Sequence, residues 1–169
     1  MRKKGFTLIE LMVVIAIIGV LSSVLAPQIF KQINKGRQSA VVSFYNNLKT
    51  ATSSYYADTE QWPATGATGI GCLTATSQGS CPSGWAGPYI DRWPAYGPWA
   101  SSAYTWCSGS CGYGASSSRV LTLTGTGSAI STADVIEIDK KIDGGEGNAA
   151  GVVQYSSGAT TFTILISAN

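Results

Sequence analysis

Between Phe6 and Ala26 the chain carries 21 residues with a single charge, Glu10. As a helix, that run is long enough to cross about 30 Å of hydrocarbon. Arg2, Lys3 and Lys4 stand directly before it, and such a basic cluster is expected to stay on the cytoplasmic side. Everything after Pro27 is then expected outside the cytoplasm. A carboxylate inside the run costs about 2–3 kcal/mol to insert, so Glu10 needs a reason to be there. A cleavable secretory signal with a small-residue site at "SSVLA" is a poor reading, because Pro27 follows Ala26 and apolar periodicity continues past it. A plain single-span anchor explains neither Glu10 nor the abrupt junction between "KKG" and Phe6.

Composition narrows the chemistry. A chain of 169 residues suffices for one core-bearing domain and one extra element. Beyond the N-terminal cluster, eight Lys and Arg face nine Asp and Glu, so no basic stripe points to specific nucleic-acid binding. Histidine is absent, which removes the commonest general base and transition-metal ligand. The expectation is a protein that is not an enzyme.

"KKGFTLIELMVVIAIIGVL" resembles the prepilin N-terminus of type IV pilins and of their relatives, the pseudopilins of type II secretion. The resemblance runs through Pro27, where many pilins carry a helix-softening proline. It implies that a prepilin peptidase removes Met1 to Gly5, cutting between Gly5 and Phe6, and methylates the new Phe6 amine. Glu10 becomes the fifth residue of the mature chain, the position of the family's glutamate. Packed side by side, such helices let a neighbour's amine meet Glu10 in a low-dielectric setting. A buried pair of this kind adds little net stability but fixes register, because an unpaired buried charge is heavily penalised.

Past the apolar run the pattern becomes one-sided. Ile29/Phe30, Ile33, Ala40/Val41, Phe44, Leu48, Ala51/Thr52 and Tyr55 recur at three- and four-residue steps, with Lys31, Lys35, Arg37, Gln38, Asn46, Asn47 and Lys49 opposite. The spacing predicts one helix from about Thr7 to Asp58, about 75 Å long if continuous. Pro27 should kink or locally melt it. The expected divisions are a leader (1–5), a transmembrane or filament-core helix (6–26), an amphipathic half (27–58) and a globular head (59–169).

Within the head, 59–117 reads as a loop region rich in Gly, Ser, Pro and Trp. Its "GWAGPYIDRWPAYGPWASSAYTW" resembles the "GPY…P…PWG" stretch of major pseudopilins and some pilins. Gly87, Pro88 and Tyr89 match it, whereas Gly97 stands for the Asp before Pro-Trp and Ala100 for the following glycine. The C-terminal part, 118–169, reads as a strand at "SRVLTLTG", a short helix capped by Ser131 or Thr132 and stopped at Gly144–Gly145, and a final hairpin turning around Ser156 to Ala159. "IDKKIDGGEGNAAGVVQY" resembles the "IDKKIDDG…TG" element of many pilin-like heads. The expected fold class is α+β, a pilin-like ladle: a long N-terminal helix, its hydrophobic half protruding, packed on a small antiparallel sheet with a disulfide-bearing loop region.

Four cysteines in the exported part favour disulfides. Three pairings are possible; the local one, Cys72 with Cys81 and Cys107 with Cys111, is preferred. Asp143, Glu146 and Asn148 put oxygen donors in a glycine-rich loop and are candidate calcium ligands. Major pseudopilins bind calcium near their C-terminal loops; otherwise no cofactor is expected.

The resemblance implies the major subunit of a bacterial type IV pilus, for adhesion, motility or DNA uptake. Its implied partners are copies of itself, the prepilin peptidase, the pilus or secretion assembly machinery and the inner membrane that holds it before assembly. Phe6, Glu10 and Pro27 are the expected assembly residues. A type II secretion pseudopilin, forming a short periplasmic fibre, is the alternative within the superfamily. A membrane-anchored extracellular binding domain is the alternative outside it.

Overall fold

The computed structural model describes residues 5–111, 113, 117–125, 130–145, 151–155 and 161–168. They form α1 (Leu8–Thr59), α2 (Ala67–Thr74), a single 3₁₀ turn at 78–80, β1 (Ser102–Gly109), β2 (Ser118–Gly125), α3 (Thr132–Ile142), β3 (Val153–Tyr155) and β4 (Thr161–Ala168). The chain divides into two compact units, 1–36 and 37–169.

In the first unit every described residue is exposed. The helix there is long and apolar enough to cross a membrane. It continues through Pro27 without interruption, so of the kink or local melting expected at that proline, the melting does not occur. The one lost hydrogen bond is carried by the cooperative turns on either side. The expected amphipathic stripe also begins later than its sequence pattern. Ile29, Phe30 and Ile33 are 56%, 67% and 44% exposed, and burial starts at Gln38, which is not on the polar face as expected but is buried and donates its Nε2 to Asp134 Oδ1 at 3.0 Å.

The second unit has one core. From α1 come Val41, Tyr45, Leu48, Ala51 and Tyr55, at the steps that keep side chains on one helical face. The sheet, in the order β1-β2-β4-β3, is antiparallel throughout. Its register aligns Trp106, Leu121, Ile164 and Val153 in one row across all four strands. All four are at most 2% exposed, and Tyr104, Leu123 and Phe162 form the next row on the same face. Each such fully buried side chain contributes about 1.5–3 kcal/mol. Tyr45 reaches across to donate its hydroxyl to the Leu165 carbonyl at 3.3 Å.

Two of these elements fall where only loop is expected. α2 is short, carries two glycines and lacks a clear period. A Cβ at Gly69 would lie 1.8 Å from the Ala64 carbonyl oxygen, so that helical glycine permits a close backbone approach. β1 buries Tyr104 and Trp106 and exposes Ala103 and Thr105, a period-two pattern hidden in Gly/Ser-rich surroundings. The segment before α2 covers the open side of β1. The Gly66 amide donates to the Trp106 carbonyl at 3.1 Å, and Thr65 Oγ1 bonds both the carbonyl and the amide of Ser108.

The strand at 118–125 and the short helix lie where the pattern places them. Ser131 is the cap of α3, accepting the Asp134 amide at 3.1 Å. Gly144 and Gly145 follow the helix at φ 95° and 85°. β3 and β4 pair as the expected hairpin; its turn at Ser156 to Ala159 lies outside the described residues.

Candidate assembly and processing site

Gly5 and Phe6 precede α1 in non-helical backbone. Phe6 is 86% exposed, and among the described residues no heavy atom beyond the chain neighbours lies within 4 Å of the position a Cβ on Gly5 would take. The Gly5–Phe6 bond is therefore sterically open.

The helix begins with a reciprocal cap. The Thr7 amide and hydroxyl both donate to Glu10 Oε2, at 2.8 and 2.6 Å, while the Glu10 amide donates to Thr7 Oγ1 at 3.3 Å. This is a capping box, which satisfies two of the amides that a helix start leaves without partners. The carboxylate also stands at the positive end of the helix dipole. Phe6, Ile9, Val13 and Val14 surround it in a shallow apolar depression of about 400 Å³. Glu10 thus has local partners before any neighbour arrives. Reading it only as an acid awaiting another chain overlooks Thr7, although the T-x-x-E spacing signals the box. Pro27, the other expected assembly residue, lies 17 positions further along α1 and touches none of this.

In the head, Cys72 bonds Cys81 and Cys107 bonds Cys111, with Cα separations of 5.5 and 5.9 Å. Asp143 ends α3, and its Oδ2 accepts the Val152 and Val153 amides. Burial alone would raise its pKa. Hydrogen bonds from Asp139 and from the amides of Val152, Val153 and Gly145 outweigh that and hold it below the ordinary 3.8. Glu146 and Asn148 lie outside the described residues. Among the described residues no group of three or more His, Cys, Asp or Glu side chains is placed to hold a metal ion.

An apolar helix opened by a Thr–Glu box, joined in sequence to a small antiparallel head with two disulfides, defines the pilin-like class of α+β proteins. Comparison with known proteins agrees. Residues 1–26 match the family model of the prokaryotic N-terminal methylation motif, and residues 32–112 match that of the PilW C-terminal region. The fimbrial protein EcpC of Eikenella corrodens is 44% identical over 62 residues, 37% of this chain and 40% of the relative. The type IV major pilin protein PilE1 of Neisseria gonorrhoeae is 34% identical over 88 residues, 52% of this chain and 49% of the relative. The type II secretion system core protein G of Pectobacterium carotovorum subsp. carotovorum is 39% identical over 64 residues, covering 38% and 41%. The chain is a type IV pilin-like protein. It spans less than half the length of these relatives.

Proposed function

We propose that this chain is the structural subunit of a bacterial type IV pilus, cleaved between Gly5 and Phe6, methylated on the new amine, and polymerised through its apolar helix. The observation that carries this reading is the fully exposed apolar surface of residues 6–33, opened by a capped acid. That surface has two favourable environments, lipid tails and identical helices. The inner membrane stores the subunit and the filament receives it. Lipid tails are as apolar as these side chains, so the transfer is driven by close helix–helix packing and interhelical polar contacts rather than by removal of area from water. Cleavage creates a cation at Phe6, four positions before Glu10. In the filament a neighbour's amine replaces or joins Thr7 as donor to Glu10, which sets the axial register. The head, held outside the cytoplasm, forms the filament surface. No catalytic step and no cofactor is assigned to the chain.

A pseudopilin of type II secretion is the second reading, favoured by Gly87-Pro88-Tyr89 and by the similarity to core protein G. Intact-mass spectrometry of filaments sheared from cells tests both. A pilus subunit gives abundant long filaments whose subunit begins at Phe6 and carries one added methyl group. Filaments whose subunits retain Met1 overturn the processing assignment. Absence of the chain from surface filaments, together with loss of protein export on its deletion, selects the pseudopilin.

A further inference from the structure

The second unit holds an open cleft of about 700 Å³ between α1 and the segment 89–94. That volume lies within the range of small-molecule sites. Both walls are fixed. The helix forms one. The other is strapped by the amides of Tyr89 and Ile90, which both donate to the Leu73 carbonyl at 2.9 and 3.0 Å. Phe44 packs edge-on against Trp93 with ring centroids 5.4 Å apart, which braces the end of the cleft.

Its chemistry is divided. Phe44, Ala51 and Ile90 give an apolar floor, and Asn47, Ser54, Asp91 and Arg92 stand exposed around it. The side chains of those four make no hydrogen bond or ion pair with the described residues, so their donors and acceptors face solvent over the cleft. Asp91 and Arg92 carry opposite charges at the same rim, which favours a neutral ligand over an ion. The helix amides are spent within α1 and those of 89 and 90 on Leu73, so recognition in the cleft falls chiefly to side chains.

The geometry points to a binding site for a neutral saccharide, formed on the last part of α1 and separate from the apolar residues 6–33. A sugar ring presents one face of C–H groups, suited to Phe44 and Ile90, and a rim of hydroxyls. Those hydroxyls donate to the Asp91 carboxylate and the Asn47 carbonyl, and accept from Arg92 and the Asn47 amide. The charge-assisted bonds to Asp91 and Arg92 are the stronger ones.

The test uses the full processed chain in dodecylphosphocholine micelles, a detergent without a sugar headgroup. Methyl glycosides of N-acetylglucosamine, galactose and mannose are the probes, followed by saturation-transfer NMR and by titration of tryptophan fluorescence. At least one glycoside binds, with a dissociation constant of about 1–10 mM. D91A and N47A each weaken it at least roughly three-fold, and S54W, which fills the cleft, abolishes it, all three with unchanged far-UV circular dichroism. No binding by any of the three glycosides overturns the proposal. So does undiminished binding in S54W, or binding of a blocked Gly-Val-Gly-Ala tetrapeptide in place of every glycoside. None of these outcomes bears on filament assembly.

Discussion

Two carboxylates show how position sets the work of an acid. Glu10 is held by Thr7 at the start of a helix that otherwise offers only hydrocarbon. Glu10→Ala removes the carboxylate half of the reciprocal cap, leaving the residue-10 amide on Thr7 Oγ1, while easing insertion. The expected outcome is a subunit fully inserted in the membrane but forming few filaments; normal filament number, counted by electron microscopy, overturns the register role. Asp143 instead ties α3 to β3 through the Val152 and Val153 amides. Because folding lowers its pKa, it adds stability above the ordinary 3.8, and that stability drains as pH falls below this value toward the folded pKa. Chemical denaturation from pH 6 to pH 2 (followed by near-UV circular dichroism in micelles) should show an acid loss that is smaller in Asp143→Ala. At neutral pH that variant is less stable by about 1–3 kcal/mol, since two backbone donors lose their acceptor.

At the scale of elements, α1 does two jobs along one cylinder. Its first part keeps every apolar side chain on the outside, and its last part spends one face on the sheet. Leu48 is fully buried among Tyr45, Ala51 and the strand residues, so Leu48→Ala should cost about 2–5 kcal/mol of head stability. Membrane insertion should not change, a contrast that separates the two jobs in one denaturation and fractionation experiment. Much of this was readable from residue order. The apolar run, the period of Val41, Leu48 and Tyr55, the alternation at 118–125 and the Ser131 cap all report local rules. The start of burial at Gln38 was not readable, because Ile29, Phe30 and Ile33 continue the same spacing and only tertiary packing decides which turns are covered. β1 was hidden for a related reason. It is as long as β2, but its alternation lies in Gly/Ser-rich surroundings, and pairing with β2 specifies it more than its own composition does. The cleft beside 89–94 depends on a strap from Leu73, a contact that no pattern in either segment announces.

For the whole molecule, both disulfides close short loops in the stretch with least regular structure. Cys72 and Cys81 are nine positions apart and hold α2 to the turn that follows it. The Trp85 indole donates to the Cys72 carbonyl at 2.8 Å, so this bridge also supports the aromatic segment. Replacing both cysteines with serine should lower head stability by about 2–3 kcal/mol. The effect should appear as increased protease cleavage between 73 and 90, mapped by mass spectrometry, while insertion of the N-terminal helix is unaffected. A filament crowds many heads together at very high local concentration, and open strand margins would then invite neighbours to fuse into one endless ribbon. Here one margin is already occupied by the Thr65–Gly66 segment, and the other belongs to a strand of only three residues. In the proposed filament, growth would thereby be left to the greasy rods, and a fibre held in that way could be dismantled one member at a time.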